Sequence, residues 1–165
     1  MSTIQLSTSK GDITIKLDPV KAPISTKNFL EYVTAGHYDG TIFHRVISTF
    51  MIQGGGFTPD MKQKKTNATI KNEWQNGLKN KRGTIAMARL GGNADSATCQ
   101  FFINVVDNDF LDRPQPDGAA YAVFGAVTSG LEVVDAIKAV KTGTKAGMGD
   151  VPLEPVVINS VKVID

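Results

Sequence analysis

The chain is short of most devices that hold or arm a protein covalently. It has one cysteine, Cys99, in 165 residues, so no intrachain disulfide can form. A lone thiol suits a reducing compartment, and no activating base stands beside it, so Cys99 reads as inert. There are only two histidines, His37 and His44. His37 sits in a Gly-His-Tyr-Asp turn, and His44 alone cannot make a metal site. No Ser/His/Asp triad is recognisable, and no metal or cofactor is expected. Charge of one sign is also scarce. Eighteen basic against sixteen acidic residues leave +2, too little to argue for nucleic acid. The densest basic stretch, Lys62 to Lys65, has no interleaved aromatic and reads as a solvated loop. No apolar run nears the roughly 20 residues that span a bilayer. The start, Met1 to Leu6, lacks a charged segment followed by an apolar one. The expectation is a cytoplasmic protein with no membrane partner.

What is present suits one domain over residues 1–165, large enough to bury about 70% of its unfolded surface. Gly, Asn, Asp and Pro punctuate short apolar, β-branched or aromatic runs. Ile4–Leu6 and Ile13–Leu17 flank Lys10-Gly11-Asp12, which reads as a hairpin turn. Ile13, Ile15 and Leu17 alternate with Thr14 and Lys16, so one face is buried. The other strand candidates are Ile42–Ile47, Met51–Gln53, Thr84–Ala88, Phe101–Val105, Val123–Val127 and Val156–Ile164. Two segments read as helices. One starts near Pro23, with Ser25 or Thr26 as its cap, runs through Val33 and closes on Gly36. The other spans about Leu131 to Val140, with Leu131, Val134 and Ile137 on its apolar stripe. Many short strands and two helices point to a closed antiparallel barrel with helices over its open ends; a sandwich is the alternative.

Three segments carry candidate chemistry. In Phe43 to Phe57, polar groups are embedded in apolar sequence. Arg45 there is either a core-edge cation, paired with a carboxylate or reaching to water, or a cation presented in an apolar cleft. Met51 and Gln53 are two apart and share a strand face, an apolar surface beside an amide. Gly54-Gly55-Gly56 lacks the spacing of a phosphate loop and reads as a strand-exit bulge. The second segment joins Met87-Ala88-Arg89, through a loop of small residues, to Gln100-Phe101-Phe102. The two adjacent phenylalanines must point to opposite faces. The third sets Phe110 and Leu111 between acids in a turn. A Pro/Gly-rich connection, Asp112 to Ala120, leads from it to Tyr121.

Together, Phe43-His44-Arg45-Val46-Ile47, Phe50-Met51, Gln53-Gly54-Gly55, Gln100-Phe101-Phe102-Ile103 and Val123-Phe124-Gly125 resemble the signature segments of the cyclophilins, the peptidyl-prolyl cis-trans isomerases. They occur in the family's order, and the likeness runs from Gly11 to the last strand, in the compact bacterial form. The resemblance implies a mainly β fold, a closed eight-stranded antiparallel barrel capped by two α-helices. It makes Arg45 the catalytic arginine, with Gln53 and Phe50 beside it. Phe50, Met51, Phe102 and Leu111 become walls of a proline pocket, and Gln53 engages the substrate backbone. Ala88 and Arg89 lie along the bound peptide. Phe102 takes the groove and Phe101 the core.

Three positions depart from the eukaryotic members. Phe110 and Tyr121 stand at the rim where a tryptophan and a histidine would be, and Arg89 replaces an asparagine. Phenylalanine has no N–H donor, so cyclosporin is expected to bind weakly. The expected substrates are proline-containing peptides and unfolded or partly folded chains, turned over by a monomer without cofactor. The rivals are a non-catalytic proline-binding module and a chaperone or adaptor using the same groove; Arg45, which a mere binder does not need, favours the enzyme.

Overall fold

In a computed structural model, which describes residues 2–165, β1 (Thr3–Thr8) and β2 (Gly11–Leu17) form the first hairpin. Ile4, Leu6, Ile13, Ile15 and Leu17 all point inward and are at most 2% exposed, as the alternation requires. Thr8 pairs with Gly11, so Ser9-Lys10 is the turn. The expected turn at Lys10-Gly11-Asp12 is displaced because Gly11 and Asp12 already belong to the ladder.

Nine strands make one antiparallel sheet. After β1 and β2 come β3 (Thr41–Ile42), β4 (Arg45–Ile47), β5 (Met51–Gly54), β6 (Thr84–Met87), β7 (Phe101–Asn104), β8 (Val123–Ser129) and, beyond a separate hairpin, β11 (Val157–Val163). The order is β3-β11-β1-β2-β8-β6-β7-β5-β4. Laid flat, nine strands would hold the outer two roughly 38 Å apart. Yet β3 and β4 are separated only by Phe43 and His44, a link that reaches about 11 Å. The sheet must therefore curl until its edges meet. The Ile42 N–H donates to the Phe57 carbonyl at 3.0 Å, and the Gly55 N–H to the Ile42 carbonyl at 3.3 Å. The expected count of eight strands differs because Ile42–Ile47 is not one strand. It bends at Phe43-His44 and serves both edges of the sheet.

The interior holds Phe29, Tyr38, Phe43, Phe101 and Phe124, none with measurable exposure. Helix α1 (Pro23–Thr34) drives Phe29 into it, 5.6 Å from Phe101 and 5.4 Å from Phe124 between ring centres. Helix α2 (Leu131–Lys138) contributes Val134 and Ile137 to the same core. Ser25 and Thr26 do not cap α1; both lie inside it, and Pro23 begins it after Ala22. The cap comes from far along the chain. The Glu73 carboxylate accepts from the Ile24 N–H at 3.1 Å, the Ser25 N–H at 2.7 Å and the Ser25 hydroxyl at 2.8 Å. It meets free helix donors at the positive end of the helix dipole.

The sequence reading has no counterpart for the hairpin β9 (Thr142–Lys145) and β10 (Met148–Pro152), whereas the expected turn around Phe110 and Leu111 is present as the 3₁₀ turn Asp109–Asp112. Ala146 and Gly147, both at positive φ, make the two-residue turn of that hairpin.

Candidate active site

Along β5, β6 and β7, alternate residues serve two different apolar clusters. Ile52, Ile85, Phe101 and Ile103 belong to the barrel core. Met51, Ala86 and Phe102 belong to a second cluster on the other face, with Leu111 and Val123. Strand register aligns this outer face. Arg45 pairs with Gln53, Gln53 with Phe102, Phe102 with Ala86, and Ala86 with Val123. One transverse row across five strands thus sets a cation, an amide, an aromatic ring and two small apolar residues side by side.

The glycine run after β5 makes this row possible. A Cβ on Gly54 would lie 2.7 Å from the Ile42 carbonyl oxygen. One on Gly56 would lie 2.6 Å from the Gln100 side chain. Gln100 therefore lies flat on the run, and its Oε1 accepts from Gln53 Nε2 at 2.9 Å. Gln53 in turn offers Oε1 to an Arg45 N–H at 3.5 Å. The amide is thereby oriented with its oxygen toward the guanidinium.

Arg45 itself is exposed, and among the described residues no carboxylate pairs with it. The paired core-edge arginine is thus not what the structure contains. His44, next to it, is buried against Phe57 with ring centres 4.5 Å apart. Burial, and then the Arg45 charge, lower its pKa to about 4. At neutral pH it adds no second cation beside Arg45.

A cavity of about 300 Å³ stands over the row. It is lined by all ten residues singled out from the sequence: Arg45, Phe50, Met51, Gln53, Ala88, Arg89, Phe102, Phe110, Leu111 and Tyr121. The loop between β4 and β5 carries Phe50, whose ring stacks on Phe110 with centres 5.6 Å apart. The 3₁₀ turn lays Leu111 into the apolar cluster and leaves Phe110 half exposed at the rim. Phe102 meets Tyr121 edge to face at 5.8 Å. Phe101, one residue away, is wholly in the core.

Ala88 and Arg89 lie just beyond β6, not within it. The Ala88 N–H still donates to the Gln100 carbonyl at 3.1 Å. The Arg89 N–H and C=O have no partner among the described residues. The side chain of Arg89, by contrast, is committed. Its guanidinium pairs with Asp117 at both nitrogens, donates to the Ala119 carbonyl at 2.8 Å and lies 4.6 Å from the centre of the Tyr121 ring. The two charged side chains are 2% and 8% exposed. Asp117 also accepts from the Gly92 N–H at 3.2 Å. The Asp112 to Ala120 connection is therefore a strap, clamped by one ion pair to the site wall.

Sequence reasoning did not find Asp117, Gln115 or Gln100 as parts of the site. Gln115 also lines the cavity, and its amide donates to the Phe110 carbonyl at 3.0 Å. Only the abundance of Pro, Gly and Asp in the strap hinted at a built loop; the partners of Asp117 and Gln100 are tens of residues away.

Comparison with known proteins identifies the family. The family model described as cyclophilin type peptidyl-prolyl cis-trans isomerase matches residues 3–163. The peptidyl-prolyl cis-trans isomerase cyp18 of Streptomyces antibioticus is 60% identical to this chain, with 99% of each covered. Peptidyl-prolyl cis-trans isomerase B of Escherichia coli (strain K12) is 56% identical, over 97% of this chain and 98% of that one. A cyclophilin-type isomerase of Cryptosporidium parvum, crystallised in the presence of the dipeptide Ala-Pro, shares the fold with a TM-score of 0.79. It is 24% identical over 99% of each chain.

Proposed function

We infer that this chain, which belongs to the cyclophilin-type peptidyl-prolyl cis-trans isomerases and is such an isomerase, turns the Xaa-Pro bond over the Arg45–Gln53–Phe102 row. The proline ring sits against Phe50, Met51, Phe102 and Leu111. The observation that carries this is the Arg45 cation, with no carboxylate partner among the described residues, at a cavity of about 300 Å³ that Phe50, Met51, Phe102 and Leu111 wall on one side.

Rotation about a peptide bond faces a barrier of ~18–20 kcal/mol, because it breaks amide resonance. In the twisted state the prolyl nitrogen regains a localised lone pair. A donor aimed at that nitrogen stabilises the twisted amide more than the planar one, and only such differential binding raises turnover. Arg45 is that donor. The apolar walls displace water and strengthen its effect. Gln53 and the free N–H and C=O of Arg89 hold the substrate backbone like an added strand while the other side turns. No nucleophile or proton transfer enters.

Titrating the protein with an Ala-Pro peptide while following backbone NMR shifts tests the placement. Shifts should centre on Gln53, Ala88, Phe102 and Tyr121. Shifts centred instead on the groove along α1, around Lys27 and Leu30, would overturn it. The substrates on this reading are proline-bearing unfolded or partly folded chains, whose slow step is often this rotation. One chain supplies every residue that lines the cavity, so the site is complete in a monomer, and the single buried thiol, Cys99, suits the cytoplasm.

Cyclosporin binds weakly on this reading, because Phe110 offers no N–H. Replacing it, Phe110→Trp, should tighten cyclosporin about tenfold, the value of one added hydrogen bond. Calorimetry showing no gain would refute the role given to the missing donor.

The strap clamp yields a second expectation. Asp117→Asn keeps the shape but removes the charge that holds Arg89. KM for an Xaa-Pro peptide should rise about three- to tenfold with little change in kcat, the mark of weakened uniform binding. The Arg89 guanidinium holds the Asp117 carboxyl below its ordinary pKa. A carboxyl so depressed contributes above its unfolded value and is lost as pH falls through the folded one. The KM difference between parent and variant should therefore persist at neutral pH and close only below the usual carboxylate range. A KM equal to the parent's at pH 7 would remove the clamp from the enzyme's function.

A further inference from the structure

Behind the cavity lie three asparagines that line no part of it. Asn80 and Asn104 have no exposure, and Asn108 has 4%. A buried primary amide is costly unless its donors and acceptor are met, and here the amides meet each other in one direction. Asn108 Nδ2 donates to Asn104 Oδ1 at 2.8 Å. Asn104 Nδ2 donates to Asn80 Oδ1 at 3.0 Å. Asn80 Nδ2 donates to Asp112 Oδ1 at 2.9 Å. Each amide also spends its second N–H: Asn108 on the Phe50 carbonyl at 2.9 Å, Asn104 on the Thr84 hydroxyl at 2.9 Å, Asn80 on the Tyr121 carbonyl at 3.3 Å.

We propose that Asn80, Asn104 and Asn108 are positioning residues of the isomerase, a relay of buried amides that fixes the spacing of the proline-pocket walls. Phe50 is held through its carbonyl, which also accepts from the Val105 N–H at 3.2 Å. Leu111 is held through its N–H, which donates to the Asn108 carbonyl at 3.0 Å, and through its neighbour Asp112 at the relay's end. Tyr121 is held through its carbonyl and through its N–H, which donates to the Leu111 carbonyl at 3.1 Å. Met51 lies opposite Asn104 in the strand register. Three of the pocket walls and the rim residue Tyr121, carried by three separate segments, thus share one hydrogen-bonded frame. Dipoles aligned head to tail and closed on a carboxylate reinforce one another. An apolar filler of the same volume could pack this space, but it could not fix the backbones of a loop, a 3₁₀ turn and the strap at once.

The inference rests on the proline ring occupying this pocket, and its test separates the two. Asn108→Ala removes both donors at the head of the relay. Its kcat/KM on a short Xaa-Pro peptide should fall roughly tenfold or more, since sub-ångström misplacement of a site is amplified in rate. Asn108→Ser, which keeps one donor, should recover part of the loss, and it also carries the test if the alanine variant does not fold. The control is Ile4→Val or Ile4→Ala, whichever matches the unfolding midpoint of the Asn108 variant. Ile4 is fully buried on β1, which pairs with β11 and β2 and carries no residue of the cavity lining, so this control should keep the parent's kcat and KM at a temperature where all are folded. Asn104→Ala combined with Asn108→Ala should be little worse than either alone, because both break one relay. If the Asn108 variants keep parental kcat and KM while Phe102→Ala impairs the enzyme, the relay has no positioning role and the pocket stands. If Phe102→Ala leaves activity intact as well, the pocket reading falls and takes this inference with it.

Discussion

Arg45→Ala should leave a folded protein whose kcat on an Xaa-Pro peptide is about a hundred- to a thousandfold lower, the usual cost of one preorganised donor aimed at a developing charge. The expectation rests on three features of the residue. It is exposed, so the fold does not depend on it, and stability should change by no more than about 0.5 kcal/mol. No carboxylate among the described residues pairs with it, so its removal strands no buried charge. Its one side-chain hydrogen bond among the described residues is with Gln53 at 3.5 Å, and Gln53 keeps its bond to Gln100 without it. Affinity for the planar substrate should therefore survive while the preference for the twisted amide is lost. Arg45→Lys should restore little, because an ammonium on a flexible stem does not reproduce a planar fork. The check is a coupled isomerisation assay with peptide binding measured beside it. A kcat within a few-fold of the parent's would defeat the mechanism.

Why this site could be read from sequence, and its frame could not, follows from the range of the interactions. Met51 and Gln53 share a face by strand period alone. Phe101 and Phe102 must diverge for the same reason. Short apolar runs between turn residues marked eight segments that hold all nine strands of the sheet. Ile42–Ile47 looked continuous because Ile42, Phe43, Val46 and Ile47 are strand formers; the bend at Phe43-His44 comes from closing the sheet, which only the whole ring imposes. The β9–β10 hairpin escaped because Thr142–Lys145 is half-buried to exposed and shows no apolar alternation. Glu73 capping α1, Asp117 clamping Arg89 and the amide relay were silent for another reason. Each joins polar residues between 20 and 60 positions apart, apart from the Asn104–Asn108 step. A polar residue in a loop looks the same in sequence whether it meets water or a distant partner.

The adjacent pair Phe101 and Phe102 should separate stability from catalysis within one strand. Phe101 is fully buried and meets Phe29, Tyr38 and Phe43 edge to face, at 5.6, 5.5 and 6.0 Å. Phe101→Ala leaves a closed cavity among rigid rings, and the cost should be about 3–5 kcal/mol. Domains are stable by only about 5–15 kcal/mol, so much of the margin disappears. The fraction that remains folded should turn over peptide at the parent's rate. Phe102 is 4% exposed, but the space beside it opens into the substrate cavity. Phe102→Ala therefore loses buried area without enclosing a void, at roughly 1.5–3 kcal/mol. It also removes the wall opposite Gln53 in the row, and kcat/KM should fall at least tenfold, because the ring no longer holds the amide near Arg45. Denaturant unfolding of both variants, with the peptide assay run far below either midpoint, decides the matter. Equal stability losses would contradict the two-cluster packing. Impaired turnover in folded Phe101→Ala, with intact turnover in Phe102→Ala, would place the substrate on the wrong face of the sheet.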